Sequence, residues 1–265
     1  MTQRNQSLRI ALAQFDVKSG KTAQNLATAT EYLALAAGQG AHLVVLPELW
    51  SSGYDLEHCR IHAQASQYEV LPALSKLARR HRIYVVGSVL KANASREVFN
   101  SAVLLGPGTG AVRAYHKIHL FGPMREDRFL TPGRTTPIFQ MPFGPIALAI
   151  CYDLRFPELF RKYALGGAQL VVVCAQWPAP RLEHWRTLVR ARAIENQFFV
   201  VACNRMGSSQ GTRFAGHSMI VDPWGNVLRE GGSRAGLITE DIDFQAVNEA
   251  RSRIPALRDR RPAVY

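Results

Sequence analysis

Three residues of this 265-residue chain have the side-chain types that catalysis by a cysteine nucleophile requires. Glu48 follows the apolar run "HLVVLP", Lys117 lies near the end of "AVRAYHKI", and Cys151 ends "GPIALAI". Loops that leave the carboxyl ends of strands line the ligand crevice of open α/β sheets, so we expect these side chains to meet there. A thiol with a pKa of about 8.5 is mostly protonated at neutral pH, so a nucleophilic Cys151 needs a base or a nearby positive charge.

The other two residues can supply those needs. The carboxylate of Glu48 can take the thiol proton, and the ammonium of Lys117 can stabilise the thiolate and then the oxyanion of a tetrahedral adduct. A backbone N–H in the turn after the cysteine, that of Tyr152, can add to the oxyanion site. Taken singly, each has an ordinary explanation: a solvated carboxylate, a surface lysine, and a buried cysteine that acts as a small apolar residue. The combination predicts a reaction site.

Apolar runs of strand length alternate along the chain with segments of helical period. The predicted helices lie near residues 22–37, 67–81, 157–166 and 182–196. The predicted strands are residues 8–15, 42–48, 83–90, 101–106, 111–118, 144–151, 169–175, 198–204, 217–223 and 236–243. Turn residues in "GPGTG" and "PWGN" predict two hairpins. This order of elements indicates an α/β fold with mixed sheets.

An internal similarity refines the fold prediction. Residues 38–50, "GQGAHLVVLPELW", resemble residues 165–177, "LGGAQLVVVCAQW", and each stretch closes a unit of strand, helix and strand. Two similar halves facing each other predict a layered sandwich with helices outside and two sheets inside. A doubly wound single sheet is the alternative. No linker or low-complexity segment divides the chain, so we predict one domain over residues 1–265.

Composition narrows the functional classes. The chain is 47% hydrophobic with no apolar run of membrane-spanning length and no signal-peptide pattern, which predicts a cytoplasmic protein without a membrane partner. Four widely spaced cysteines without a C-x-x-C pair predict reduced thiols. The net charge of +12 raises the possibility of nucleic-acid binding, but the arginines are scattered and no nucleic-acid-binding motif accompanies them. A surface that attracts small anionic substrates is the favoured interpretation.

Other types of reaction site fit the sequence poorly. His116 and His119 in "HKIH" would point to opposite faces of a strand, so we predict no metal site. "GHSMI" lacks the final glycine of a G-x-S-x-G nucleophile turn. The chain contains no dinucleotide or Walker fingerprint, and we expect no cofactor. Cys59, Cys174 and Cys203 are interpreted as structural.

Three blocks of the sequence resemble the catalytic blocks of the nitrilase superfamily, the carbon–nitrogen hydrolases. They are "LPELW" with Glu48, "YHKIHLFG" with Lys117 and "CYDLRFPE" with Cys151. The further blocks "RARAIENQ", "CNRMG" and "GHSMIVDPWGNVL" extend the resemblance over nearly the whole chain. It implies a four-layer α-β-β-α sandwich of nitrilase type with two mixed sheets. It also implies a homodimer in which the sandwich continues across the interface, and we expect the tail, residues 244–265, to take part in dimer packing.

The resemblance also implies a reaction, the hydrolysis of a non-peptide carbon–nitrogen bond. Cys151 attacks the amide carbon, ammonia leaves after protonation through Glu48, and water releases the thioester as a carboxylic acid. Family members have a second glutamate after the lysine block, and Glu126 in "REDRFLTPG" fits that position. Its implied role is to orient the amide and water. Asp127 is the weaker candidate for that position.

Four residues are candidates for substrate binding. Arg155, four positions after the cysteine, can pair with a substrate carboxylate; the alternative is an intramolecular partner, Asp153 or Glu158. Tyr152 follows the nucleophile. The other two, on loops near strand ends, are Tyr54 and Trp177.

The block "YDLRFPELFR" is most similar to the amidase branch of the superfamily, in particular to omega-amidases. This similarity implies a short carboxylate-bearing amide as substrate, such as the ω-amide of a 2-oxo dicarboxylic acid. Hydrolysis of an N-carbamoyl amino acid or of an aliphatic amide is the alternative within the superfamily. Leu154 stands where carbamoylases tend to carry the first of two arginines, which counts against that branch. The alternative to an enzyme is a catalytically silent binding or scaffold protein with the same fold.

Overall fold

The apolar runs form the strands of two facing sheets in a computed structural model that describes residues 7–108 and 112–264. The strands are β1 (Leu8–Gln14), β2 (Leu43–Val45), β3 (Tyr84–Ala92), β4 (Val98–Leu105), β5 (Arg113–His116), β6 (Ile138–Met141), β7 (Gly144–Ile150), β8 (Leu170–Ala175), β9 (Phe199–Asn204), β10 (Met206–Ser209), β11 (Thr212–Ala215), β12 (Met219–Val221), β13 (Val227–Glu230) and β14 (Gly236–Ile242). The helices are α1 (Thr22–Gly38), α2 (Cys59–Ala65), α3 (Leu71–His81), α4 (Glu126–Phe129), α5 (Pro157–Leu165), α6 (Leu182–Asn196) and α7 (Gln245–Arg253).

The two large sheets have the same internal pattern. Within the described residues, one six-stranded sheet has the order β14-β1-β2-β3-β4-β5 and the other β13-β12-β9-β8-β7-β6. In each, three neighbouring strands are parallel, β1-β2-β3 in one and β7-β8-β9 in the other. The remaining pairs are antiparallel. Both sheets are therefore mixed, as predicted, and a doubly wound single sheet is the wrong alternative.

Alternation of side chains along β1 shows how the layers form. Ile10 and Leu12 point into the core between the sheets, and Ala11 and Ala13 belong to the core on the other side, under α1. Successive side chains of a strand point to opposite faces, so one apolar strand contacts both layers. Helices α1 and α3 cover the first sheet in this way, and α5 and α6 cover the second. The result is the predicted α-β-β-α sandwich.

Several short elements were not predicted. They are β6, β10, β11, β13, α2, α4 and α7, and the strands among them have only four residues each, too few for a reliable alternating pattern. The turn "PWGN" leads into β13, whereas the predicted strand at residues 236–243 becomes β14 and pairs with β1 in the other sheet. The predicted helix over residues 67–81 becomes α3 preceded by a π-helical turn, Ser66–Val70, that continues α2. The hairpin of β4 and β5 is confirmed, although residues 109–111 of that region lie outside the described residues.

The tail begins with a helix that packs on its own chain. Val247 and Ala250 of α7 are buried, and Arg251 donates hydrogen bonds to the carbonyls of Ala168 and Gln197. Participation of residues 244–265 in a dimer stays a prediction. No helix in the described part of the chain is both long and apolar enough to cross a bilayer.

Two leucines of α1 allow a matched test of the outer layer. Leu33 is fully buried against the first sheet, whereas Leu35 is 57% exposed. Leu33→Ala should lower the free energy of unfolding by about 2–5 kcal/mol, because it leaves a cavity in a packed interior. Leu35→Ala should leave the free energy of unfolding nearly unchanged. Urea denaturation followed by circular dichroism measures both, and equal losses in the two variants would contradict this packing.

Candidate active site

The four predicted catalytic residues come together between the two sheets. Glu48 lies in the loop after β2, Lys117 directly follows β5, Glu126 opens α4, and Cys151 directly follows β7. The side chains of Glu48, Lys117 and Glu126 are fully buried, and Cys151 is 6% exposed. Asp127, the weaker candidate for the second carboxylate, is exposed to solvent and does not reach this cluster.

Lys117 lies between the two carboxylates. Its Nζ is 2.8 Å from Glu48 Oε1 and 2.8 Å from Glu126 Oε2. The same Nζ is 2.9 Å from Glu126 Oε1, so the ammonium spans both oxygens of that carboxylate. Paired and hydrogen-bonded in this way, the three charges satisfy the condition under which buried ions are tolerated.

Two neutral side chains also bridge the carboxylates. Tyr54 Oη lies 2.9 Å from Glu48 Oε1 and 3.1 Å from Glu126 Oε1, and Asn100 Nδ2 lies 2.9 and 3.3 Å from the same two oxygens. A phenol has one proton, so it donates to one carboxylate oxygen at a time. Tyr54 was predicted as a pocket residue, and its hydroxyl belongs to this network as well.

A backbone N–H also donates to the Oε2 atom of each carboxylate. The N–H of Gln176 donates to Glu48 Oε2 at 2.9 Å, and the N–H of Phe121 donates to Glu126 Oε2 at 2.6 Å. Each glutamate is therefore fixed at both oxygens. Side chains held from several sides keep one rotamer, which a reacting group needs.

The pKa shifts follow from burial and neighbouring charge. Burial favours the neutral form of a lysine, but the carboxylates of Glu126 and Glu48 outweigh it and raise the pKa of Lys117, which therefore stays charged. Burial raises the pKa of Glu126; Lys117 opposes that rise and the charge of Glu48 adds to it. Lys117 therefore limits the penalty that burial imposes on the charged form of Glu126.

Cys151 occupies a strained turn that a nearby carboxylate stabilises. Its φ of +45° lies in the left-handed region, which is unfavourable for a residue with a Cβ. Asp153, fully buried, accepts hydrogen bonds from the Ile150 N–H at 2.9 Å and the Tyr115 hydroxyl at 2.8 Å. It also accepts from the backbone N–H of His119 at 3.1 Å. Asp153 therefore joins the cysteine turn to the segment that carries Lys117.

The Cys151 thiol is protonated at neutral pH in the absence of substrate. Burial and the neighbouring carboxylate of Glu48 raise the pKa of this thiol well above its ordinary value. Lys117 and the backbone N–H of Gln176 lower that pKa in part. A base must therefore remove the proton during attack, and Glu48 is in position to do so.

A pocket opens at Cys151. Aromatic side chains form much of its wall: Tyr54, Phe121, Tyr152 and Trp177. Two guanidinium groups, those of Arg155 and Arg181, also line it, together with Gln176 and Pro178. All four predicted substrate-binding residues therefore line this pocket, and its two guanidinium groups suit a small anionic molecule.

Arg155 is available to a ligand rather than tied to a carboxylate. Its guanidinium carbon lies 5.0 Å from the centroid of the Trp177 ring, and its Nη2 donates to His184 Nδ1 at 3.2 Å. Within the described residues it forms no ion pair with Asp153 or Glu158, so the intramolecular alternative is wrong. His116 and His119 contact different partners, Ser101 and Asp153, and share no ligand position.

Sequence reasoning missed three residues of the site. Asn100 is a lone amide in β4, a fully buried strand, and the need of such a group for partners is the signal that could have identified it. Gln176 precedes the predicted Trp177 in the internal repeat. Arg181 had no distinguishing signal, because it is one of many scattered arginines.

Comparison with known proteins places this geometry in a family. The carbon–nitrogen hydrolase family model matches residues 9–252. This chain belongs to the carbon–nitrogen hydrolase family. The 2-oxoglutaramate amidase of Bacillus subtilis (strain 168) is 39% identical over 256 residues, which are 97% of this chain and 98% of that protein. The omega-amidase of Homo sapiens is 33% identical over 272 residues, and the match covers 98% of this chain and 97% of that protein.

A solved structure of a carbon–nitrogen hydrolase adds a chemical observation. A mutant of the amidase from Nesterenkonia sp. AN1 superposes with a TM-score of 0.88 at 29% identity, covering 100% of this chain and 98% of that one. That protein carries the acetamide moiety of fluoroacetamide added covalently at its active-site cysteine. The predicted nitrilase-superfamily fold and an enzyme that hydrolyses linear amides are confirmed by these relationships.

The carboxylate of Glu48 has two effects on Cys151, which a substitution can separate: it raises the pKa of the thiol and it serves as the base. The carboxylate raises the pKa of the thiol, so Glu48→Gln should lower that pKa, with Lys117 left to stabilise the thiolate. Amide hydrolysis should fall about 100-fold or more, because the base is gone.

The rate of iodoacetamide alkylation of Cys151 as a function of pH, followed by mass spectrometry, measures the thiol pKa. Cys174 and Cys203 provide a low background, since burial raises the pKa of both. An alkylation profile that moves to higher pH in Glu48→Gln would contradict the electrostatic argument.

Proposed function

We propose that this carbon–nitrogen hydrolase converts the ω-amide of a short 2-oxo dicarboxylic acid into the acid and ammonia, through a thioester at Cys151. One observation carries the proposal: the buried cluster of Glu48, Lys117 and Glu126 adjoins a thiol at the end of a cavity that two guanidinium groups line. The cluster supplies a base and a cation, and the cavity supplies charge opposite to that of a carboxylate.

In the first half-reaction, Sγ of Cys151 attacks the amide carbon while Glu48 takes the thiol proton. Lys117 and the backbone N–H of Tyr152 stabilise the oxyanion of the tetrahedral adduct. Glu48 then gives the proton to the amide nitrogen, the C–N bond breaks, and ammonia leaves. The proton that left the thiol is the one that departs with ammonia, so the step balances without any other acid.

In the second half-reaction, water attacks the thioester carbon. Glu48 takes a proton from the water, and Glu126 orients the water and the acyl group. The C–S bond breaks and Glu48 returns its proton to Cys151, which restores the protonated thiol. The raised pKa of Cys151 favours this last protonation.

Substrate choice rests on the charge of the cavity and on two relatives. Arg155 and Arg181 offer planar donors that match a carboxylate. The relative from Bacillus subtilis is a 2-oxoglutaramate amidase and that from Homo sapiens an omega-amidase, which supports 2-oxoglutaramate as the substrate of this chain. Hydrolysis of N-carbamoyl amino acids or aliphatic amides is the second candidate, favoured only by the shared nucleophile. A cytoplasmic location and a homodimer remain predictions.

Ammonia release from a panel of compounds tests the proposal. The panel contains 2-oxoglutaramate, glutamine, an N-carbamoyl amino acid, an aliphatic amide and a nitrile, each also tested with Cys151→Ala. We expect 2-oxoglutaramate to be hydrolysed with the highest kcat/KM, and the variant to lose this activity. Preference for the carbamoyl compound or the neutral amide would replace the substrate assignment. If no compound releases ammonia and iodoacetamide does not alkylate Cys151, a catalytically inactive scaffold would be favoured.

The two cavity arginines allow a separate test of charge recognition. Arg155→Met and Arg181→Met should each raise KM for 2-oxoglutaramate about tenfold, the size of one lost charge-assisted hydrogen bond. KM for a neutral aliphatic amide should change little. Arg253→Met removes an exposed arginine at the end of α7 and controls for net charge. Equal KM changes for charged and neutral amides would contradict carboxylate recognition by these residues.

A further inference from the structure

Arg205 is a charged side chain with no exposed surface in the loop that follows β9. Its guanidinium contacts three segments of the chain. Nη1 donates to Gln176 Oε1 at 2.9 Å, and Nη2 donates to Asp16 Oδ1 at 2.5 Å and to the Val17 carbonyl at 2.7 Å. The ring of Phe214 lies 4.4 Å from the guanidinium carbon. None of these contacts reaches Cys151, so the reaction steps above do not use Arg205.

Gln176 connects Arg205 to Glu48. The side-chain oxygen of Gln176 accepts from Arg205, and its Nε2 donates to the backbone carbonyl of Glu48 at 2.7 Å. A flip of the Gln176 amide would turn its NH₂ group toward the guanidinium and its oxygen toward a carbonyl. Both contacts would then be repulsive, so Arg205 fixes the orientation of this amide.

The main chain of Gln176 acts directly on the base. Its N–H donates to Glu48 Oε2 at 2.9 Å and also lowers the pKa of the Cys151 thiol as a hydrogen-bond donor. Lys117, Tyr54 and Asn100 all contact the other oxygen, Oε1. The Gln176 N–H is therefore the contact that sets the direction of Oε2, the carboxylate oxygen with the fewest donors.

We propose that Arg205 is a positioning residue for the general base, acting through Gln176 to fix the orientation of the Glu48 carboxylate beside Cys151. The proposal rests on the proposed function, in which Glu48 moves the proton. An arginine suits this task because its planar fork reaches Gln176, Asp16 and the Val17 carbonyl at once. Lysine, a compact charge on a flexible chain, cannot make these contacts together.

A double-mutant cycle tests the connection. Arg205→Lys keeps the charge and loses the fork, whereas Gln176→Leu keeps the backbone N–H and loses the side-chain link. Each should lower kcat for 2-oxoglutaramate roughly 10- to 100-fold, the usual effect of a misplaced base, with a smaller change in KM.

Non-additivity is the decisive outcome. If Arg205 acts through Gln176, the double variant should be no slower than the slower single variant. If the reduction in kcat of the double variant instead equals the product of the two single reductions, the proposal is overturned. Should Arg205→Lys fail to fold, Gln176→Leu alone decides, and a wild-type kcat in that variant would also overturn the proposal.

Asp16→Asn is the matched control. It removes the ion pair of Arg205 but leaves the bond to Gln176, so Tm should fall while kcat stays close to that of the wild type. A loss of kcat equal to that of Arg205→Lys would mean that packing around the guanidinium is responsible, and would overturn the proposal. Failure of the proposed function is a different result: the wild-type enzyme would then release no ammonia from the amide panel.

Discussion

Lys117 is an ammonium group with no exposed surface, and the remainder of the site is arranged to keep it charged. Removing an ion from water costs several kcal/mol even after relaxation, so an unpaired lysine at this depth would lose its proton. Two carboxylates prevent that loss, and they must themselves be satisfied. Tyr54, Asn100 and the backbone amides of Phe121 and Gln176 provide those hydrogen bonds. These groups come from both sheets, so the pairing of one lysine requires the whole sandwich to be assembled.

The internal repeat explains where the two halves of the sandwich meet. Strands β2 and β8 occupy the same place in their sheets, and the segments that follow them contact each other. The Glu48 N–H donates to the Ala175 carbonyl at 3.4 Å, and Gln176 Nε2 donates back to the Glu48 carbonyl at 2.7 Å. Alignment of the two repeats at Ala41 and Ala168 sets Glu48 opposite Ala175. Only one half carries the carboxylate, so the reactive centre exists because the two similar segments differ at this position.

The long elements and Glu48, Lys117 and Cys151 could be predicted from the sequence because their signals are local, whereas Glu126 was assigned through the family resemblance. β1, β7, β8 and β9 are apolar runs that differ from prediction by one residue at each end or less, and α6 has the predicted bounds. Glu48, Lys117 and Cys151 were found because each stands at the end of a strand, where topology brings residues together. Asn100, Gln176 and Arg205 were missed because their partners are distant: Gln176 and Glu48 are 128 positions apart. The four-residue strands β10 and β11 likewise depend on each other and have no pattern of their own.

The protonated state of the thiol suits amide hydrolysis in the proposed mechanism. The nitrogen of the tetrahedral adduct must be protonated before it can leave as ammonia. A buried site offers few sources of protons. A thiolate whose proton had passed to solvent could not supply one, whereas a thiol beside Glu48 brings the proton with it. The carboxylate that disfavours the free thiolate is the group that carries this proton from sulfur to nitrogen. The energetic cost of a high thiol pKa and the supply of a proton to the leaving group therefore have the same physical origin, the position of Glu48.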